Sequence, residues 1–104
     1  MDSIIEIQEK IENVTNQLWQ GKGADIELIS ACIDTLVNEI TDHIGEMKAV
    51  GIDFPMEYVT AASKNLIEAI SKKDDYLLAD NLYYEWKEII IVYEEVINEM
   101  KGMP

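Results

Sequence analysis

The strongest helical pattern in the chain lies in residues 25–50, DIELISACIDTLVNEITDHIGEMKAV. Its apolar side chains, with one histidine among them, recur at alternating spacings of three and four residues, the period of one helix face. Asp25 is a residue type that caps helix N-termini, and Gly51 and Pro55 suit the break that follows. The pattern predicts one long amphipathic helix. Its inward positions are Ile26, Ile29, Ile33, Leu36, Ile40, His43, Met47 and Val50.

Three more segments have the same period, and they predict helices over about residues 3–20, 55–71 and 74–101. No segment alternates with the period of two that is typical of a strand. Short connections favour antiparallel neighbours. The sequence therefore predicts an all-α protein, a single domain over residues 1–104. We expect an antiparallel up-down four-helix bundle whose second and fourth helices are long and whose other two are shorter.

The predicted core consists of the apolar residues on the inward faces of these helices. Its members are Ile7, Ile11, Val14, Leu18, Ile29, Ile33, Leu36, Ile40, Leu66, Ile70, Leu82, Trp86, Ile89, Tyr93 and Val96.

Charge and composition exclude several classes of partner. The chain has 21 acidic residues and 8 lysines, no arginine, and a net charge of −13. Binding to nucleic acid or to an anionic membrane needs basic groups, so we expect neither. The longest apolar run, residues 89–93, is far shorter than the roughly 20 residues of a membrane span. The single Cys32 and the acidic residues 1–6, unlike a signal peptide, favour a cytoplasmic protein.

His43, with Glu39 and Glu46 on the same helix, is the first candidate for metal chemistry. A di-iron bundle site needs two histidines, and a structural zinc site needs about four ligands. The chain has one histidine and one cysteine, Cys32, and no neighbour of Cys32 could act as its base. We therefore expect no metal, no cofactor and no catalytic residue. A small enzyme that uses paired carboxylates stays an alternative, because acidic residues are abundant.

The fourth helix has apolar residues on two sides. With about 100° per residue and Trp86 at the centre of the inward face, Leu77, Tyr84 and Ile91 fall on the opposite side. Asp80 and Glu88 flank them. Scattered exposure of apolar residues is common, but a regular spacing of seven indicates a covered back face.

Residues 66–70, LIEAI, and residues 75–85, DYLLADNLYYE, carry a resemblance. They resemble small uncharacterised all-helical bacterial proteins whose last helix opens with a Leu-Ala-Asp-x-Leu-x-Tyr-Glu-like run. The resemblance covers the second half of the chain, and it implies a helical fold without a known activity. It suggests a shared role for Asp80, Tyr84 and Glu85. Trp86 departs from the pattern, since a smaller apolar residue is expected there.

These observations favour a non-enzymatic acidic interaction module. Its predicted interaction face consists of Leu77, Asp80, Tyr84, Glu85, Glu88 and Ile91. The face could contact a second copy of the chain or an amphipathic helix of a client protein, or it could be covered by the chain's own short helices. The alternative is a mimic of nucleic acid that occupies a basic protein groove. Because the acidic residues divide evenly, 10 before position 53 and 11 from there on, we prefer ordinary solubilising charge.

Overall fold

Four helices make up most of the chain that the computed structural model describes, which is residues 2–23 and 25–102, with side chains from residue 4 onward. The described residues contain no strand, so the predicted all-α class is confirmed. The first three helices are α1, Asp2–Trp19; α2, Ile26–Ala49; and α3, Met56–Lys72. Helix α4 has three consecutive parts: Asp75–Asp80, a π-helical turn at Asn81–Trp86, and Lys87–Lys101.

Local hydrogen bonds explain where the helices begin and end. The carboxylate of Asp25 accepts the backbone N–H of Leu28 at 3.1 Å, and Asp74 caps α4 in the same way. Gly21 and Gly51 have φ values of 74° and 81°, which glycine tolerates best, and they follow α1 and α2. The observed bounds lie close to the predicted ones, although α3 begins one residue later, at Met56.

The core lies where α1 contacts α2 and α4, and where α3 packs against the first half of α4. All but two of the predicted core residues are buried; Ile70 and Val96 are half-buried and pack against the core. The ends of the α2 stripe, Ile26 and Val50, are exposed. None of the described helices is both long and apolar enough to span a membrane.

The π-helical turn was not predicted, and it explains which residues of α4 are buried. Leu78, Leu82, Trp86 and Ile90 are all buried at spacings of four. In a regular α-helix, four residues rotate by about 400°, which is one full turn plus about 40°. After three such steps, the side chain of Ile90 would point about 120° away from that of Leu78. A π-helical turn acts as an inserted residue and offsets about 100° of this drift. It therefore keeps the four side chains against the core.

Leu36 of α2 tests this core directly, because its side chain is fully buried. Leu36→Ala should lower the free energy of unfolding by about 2–5 kcal/mol, through lost apolar contact and the cavity that remains. The exposed Asn38 on the same helix provides the control, and Asn38→Ala should change this energy by no more than about 0.5 kcal/mol. Urea unfolding followed by far-UV circular dichroism measures both, and equal effects would contradict the assigned core.

Candidate interaction surface

A surface groove of about 470 Å³ lies between α3 and the first half of α4. It contains four residues of the predicted interaction face: Leu77, Asp80, Tyr84 and Glu85. Its other lining residues are polar, and most belong to α3. They are Asn65, Glu68, Lys72 and Asn81.

Glu88 and Ile91, the other two residues of the predicted face, do not line this groove, although both are exposed. The predicted stripe assumed a constant rotation of about 100° per residue along α4. The π-helical turn interrupts that rotation between Leu77 and Ile91. Their separation around the helix axis consequently grows from about 40° to about 140°. The structure thus corrects the predicted register, because one continuous face does not hold all six residues.

A hydrogen-bonded network lies beneath the groove and was not predicted. Asn81, only 4% exposed, accepts the indole N–H of Trp86 on its Oδ1 at 3.0 Å. Its Nδ2 donates to the backbone carbonyl of Ala62 at 3.1 Å and to Oε2 of Glu85. The other carboxylate oxygen of Glu85 accepts from Asn65 Nδ2 at 2.7 Å. Two of these bonds join α4 to α3, so the network fixes both walls of the groove.

Among the described residues, some charged groups in the groove are paired with a group of opposite charge, and others are not. Lys72 forms an ion pair with Glu68 at 2.7 Å, and the hydrogen bond to Glu68 raises the pKa of Lys72. The carboxylate of Asp80 has no hydrogen bond or ion pair with any residue that the structure describes, whereas Glu85 is bonded to neutral amides. The groove therefore has excess negative charge at Asp80 and Glu85.

Three aromatic rings continue the surface beyond the groove, and we refer to Trp19, Tyr83 and Tyr84 as the aromatic patch. The ring centroids of Trp19 and Tyr83 are 5.0 Å apart, and those of Tyr83 and Tyr84 are 4.8 Å apart. The three residues are 42%, 38% and 64% exposed. Because Tyr84 also lines the groove, patch and groove form one surface. Trp19 and Tyr83 were not predicted, since no local pattern relates the end of α1 to α4.

His43 and Cys32 are the candidates for metal binding or nucleophilic catalysis in the sequence. In the structure, the surroundings of both are typical of residues with a structural role. His43 Nδ1 lies 2.8 Å from the backbone oxygen of Glu39 and 3.0 Å from the hydroxyl of Tyr93. Cys32 is buried, and burial raises the pKa of its thiol, which disfavours the nucleophilic thiolate. Within the described residues, no three or more His, Cys, Asp or Glu side chains are grouped to hold a metal ion. The expected absence of metal and catalysis stays a prediction.

Comparison of the chain with protein-family models, with curated proteins and with solved structures finds no match. The resemblance to small bacterial helical proteins, and the shared role that it implies for Asp80, Tyr84 and Glu85, stay predictions. The function must therefore be inferred from the groove and the aromatic patch.

The network predicts a large effect at one buried amide. Asn81→Leu keeps similar volume but leaves the buried indole N–H of Trp86 without its acceptor, so the free energy of unfolding should fall by about 1–3 kcal/mol. Asn65→Leu removes a bond at the exposed edge of the network and should cost less, at most about 1 kcal/mol. Urea unfolding followed by tryptophan fluorescence compares the two variants. An Asn81→Leu protein as stable as wild type would contradict this role.

Tyr93 makes stability depend on pH in alkaline solution. Burial, followed by the nearby carboxylates of Glu39, Glu46 and Asp42, raises the pKa of its hydroxyl above the ordinary value of 10.0. The folded protein therefore retains a proton that the unfolded chain loses, so the contribution of Tyr93 to stability is constant below about pH 10 and falls above it. In Tyr93→Phe this fall should be smaller, which urea unfolding between about pH 8 and pH 11 would show. If stability fell equally in both proteins above about pH 10, titratable groups other than Tyr93 would be responsible for the decrease.

Proposed function

We propose that this protein is a non-enzymatic interaction module that binds a protein partner through the groove and the aromatic patch. The exposure of the three aromatic rings, which contact one another at the surface instead of entering the core, carries this proposal. Contiguous exposed apolar groups are typical of interaction sites. Tryptophan and tyrosine are also the residue types that contribute most to binding energy in protein interfaces.

The surface is also held in place before a partner arrives. Tyr83 lies between Trp19, Tyr84 and the ammonium of Lys87, whose Nζ is 4.8 Å from the ring centroid. Under Tyr84, the Asn81 network fixes α4 against α3. A surface that is already ordered loses little conformational entropy on binding, so more of its contact energy contributes to affinity.

The antiparallel up-down bundle is part of the same proposal. Short connections join Trp19 to Ile26, Ala49 to Met56, and Lys72 to α4, and connections of this length favour neighbouring antiparallel helices. The contacts of α1 with α2 and α4, and of α3 with α4, support the arrangement. This topology accounts for the position of the end of α1 beside the π-helical turn. The unpaired Cys32 supports a cytoplasmic location.

Site-specific photo-crosslinking tests the binding surface. A benzoylphenylalanine residue replaces Tyr84 in the groove or, as a matched control, Tyr76, which is 73% exposed and does not line it. Irradiation in lysate of the source cells should give a discrete adduct from position 84 and none from position 76. Leu77→Glu in the same groove should abolish it, because a charge replaces an apolar anchor.

Mass spectrometry then identifies the adduct, and titration with the purified partner gives the dissociation constant. An adduct with a second copy of the chain assigns the surface to self-association, and an adduct with another protein assigns it to a client. Equal cross-linking from positions 84 and 76, or no adduct from position 84, would contradict the proposal.

A further inference from the structure

We infer that the groove binds an amphipathic helix of another protein, one that has arginine or lysine beside its apolar stripe. This inference rests on the proposed function of the groove as a binding surface. It adds the conformation and the charge of the partner.

The positions of the apolar anchors fit a helix. Leu77 and Tyr84 line the same groove seven residues apart, about 10 Å along α4, and the π-helical turn begins between them. A helix that lies along the groove presents side chains at positions i and i+7 on one face, also about 10 Å apart. Both anchors are exposed in the isolated chain, so a partner helix can cover apolar surface that the chain itself leaves in contact with water.

The charge of the partner follows from the groove. Asp80 lies between the two anchors in the sequence, lines the groove and has no cationic partner among the described residues. Glu85 adds a second carboxylate, and Lys72 is already paired with Glu68. The negative charge extends toward the start of α3, where burial and then Glu85 and Glu88 raise the pKa of Tyr58. A basic group on the partner complements this surface.

An arginine side chain on the partner could contact both the carboxylate of Asp80 and the ring of Tyr84. Its planar guanidinium can form paired hydrogen bonds with a carboxylate such as Asp80. It can also stack on an aromatic face, and Tyr84 lines the groove with an exposed ring.

Charge also argues against a second copy as the occupant. A two-fold dimer places the same surface of each chain against the other. The groove of one copy, with the carboxylates of Asp80 and Glu85, would then lie against the equally acidic groove of the other, and the chain has no arginine to bridge them. Like charges in contact oppose association, and each chain has a net charge of −13.

A helix library tests the inference with a defined probe. Displayed amphipathic helices share an apolar stripe and have randomised flanking positions. They are selected on the purified wild-type protein and counter-selected on Leu77→Ser/Tyr84→Ser, which changes only exposed side chains and is checked for folding by circular dichroism. Helices that depend on the groove should be enriched in arginine and lysine beside the stripe.

A single enriched peptide then measures the contribution of charge. Its dissociation constant should rise about two- to fivefold in Asp80→Asn, the range expected for one partly exposed charge pair. It should be unchanged in Asp34→Asn, which removes the same charge from an exposed position on α2 outside the groove. Binding should also weaken as salt rises from about 50 to about 300 mM.

The outcomes separate this inference from the proposed function. Groove-dependent helices with neutral or acidic flanks, or equal effects of the two Asp→Asn changes, would overturn the inference and leave an interaction surface. A wild-type dimer in sedimentation equilibrium that Tyr84→Ser dissociates would overturn it in favour of a second copy. If no helix depends on the groove, the inference fails, whereas the proposed function is judged separately by the photo-crosslinking of position 84.

Discussion

The indole N–H of Trp86 is a hydrogen-bond donor in the interior of the protein, where water is not available to accept from it. Leaving such a donor unpaired costs about 1–3 kcal/mol. The acceptor is Asn81, five residues earlier on the same helix, and the backbone hydrogen bonds of a π-helical turn also span five residues. Once it is buried, the Asn81 amide needs acceptors of its own. It donates to Glu85 and to the backbone of α3, so the buried donor of Trp86 is connected through Asn81 to both walls of the groove.

The same turn determines the surface. By offsetting the drift of residues spaced four apart, it keeps Leu82, Trp86 and Ile90 buried while Tyr83 and Tyr84 face outward. Tyr83 thereby meets Trp19 at the end of α1, and Tyr84 meets the groove beside α3. Turns of this kind occur frequently at functional sites. Here the reason is geometric, because the wider turn places two adjacent aromatic rings on the surface between buried neighbours.

The sequence is informative where the helices are regular. The alternating stripe of α2 and the cap at Asp25 depend only on local rules, and the structure confirms both except for the exposed ends of the stripe, Ile26 and Val50. Reasoning with a constant rotation per residue could not place Ile91 relative to Leu77, because that rotation changes within α4. A signal was present in the sequence, in the apolar residues spaced four apart from Leu78 to Ile90, which an unbroken α-helix would spread around its axis. The contact of Trp19 with Tyr83 depends on tertiary packing and has no local signature.

The net charge of the chain affects how its exposed aromatic patch can associate. An exposed patch of tryptophan and tyrosine would favour association of identical chains, but a net charge of −13 opposes it, since all copies repel one another. The repulsion does not act on a partner of opposite charge, whose encounter is accelerated by the same field. Without arginine, and with Lys72 and Lys87 both near acidic side chains, the chain has few cations with which to neutralise this surface itself. In the proposed function, the acidic composition opposes self-association through the aromatic patch and favours a partner of opposite charge.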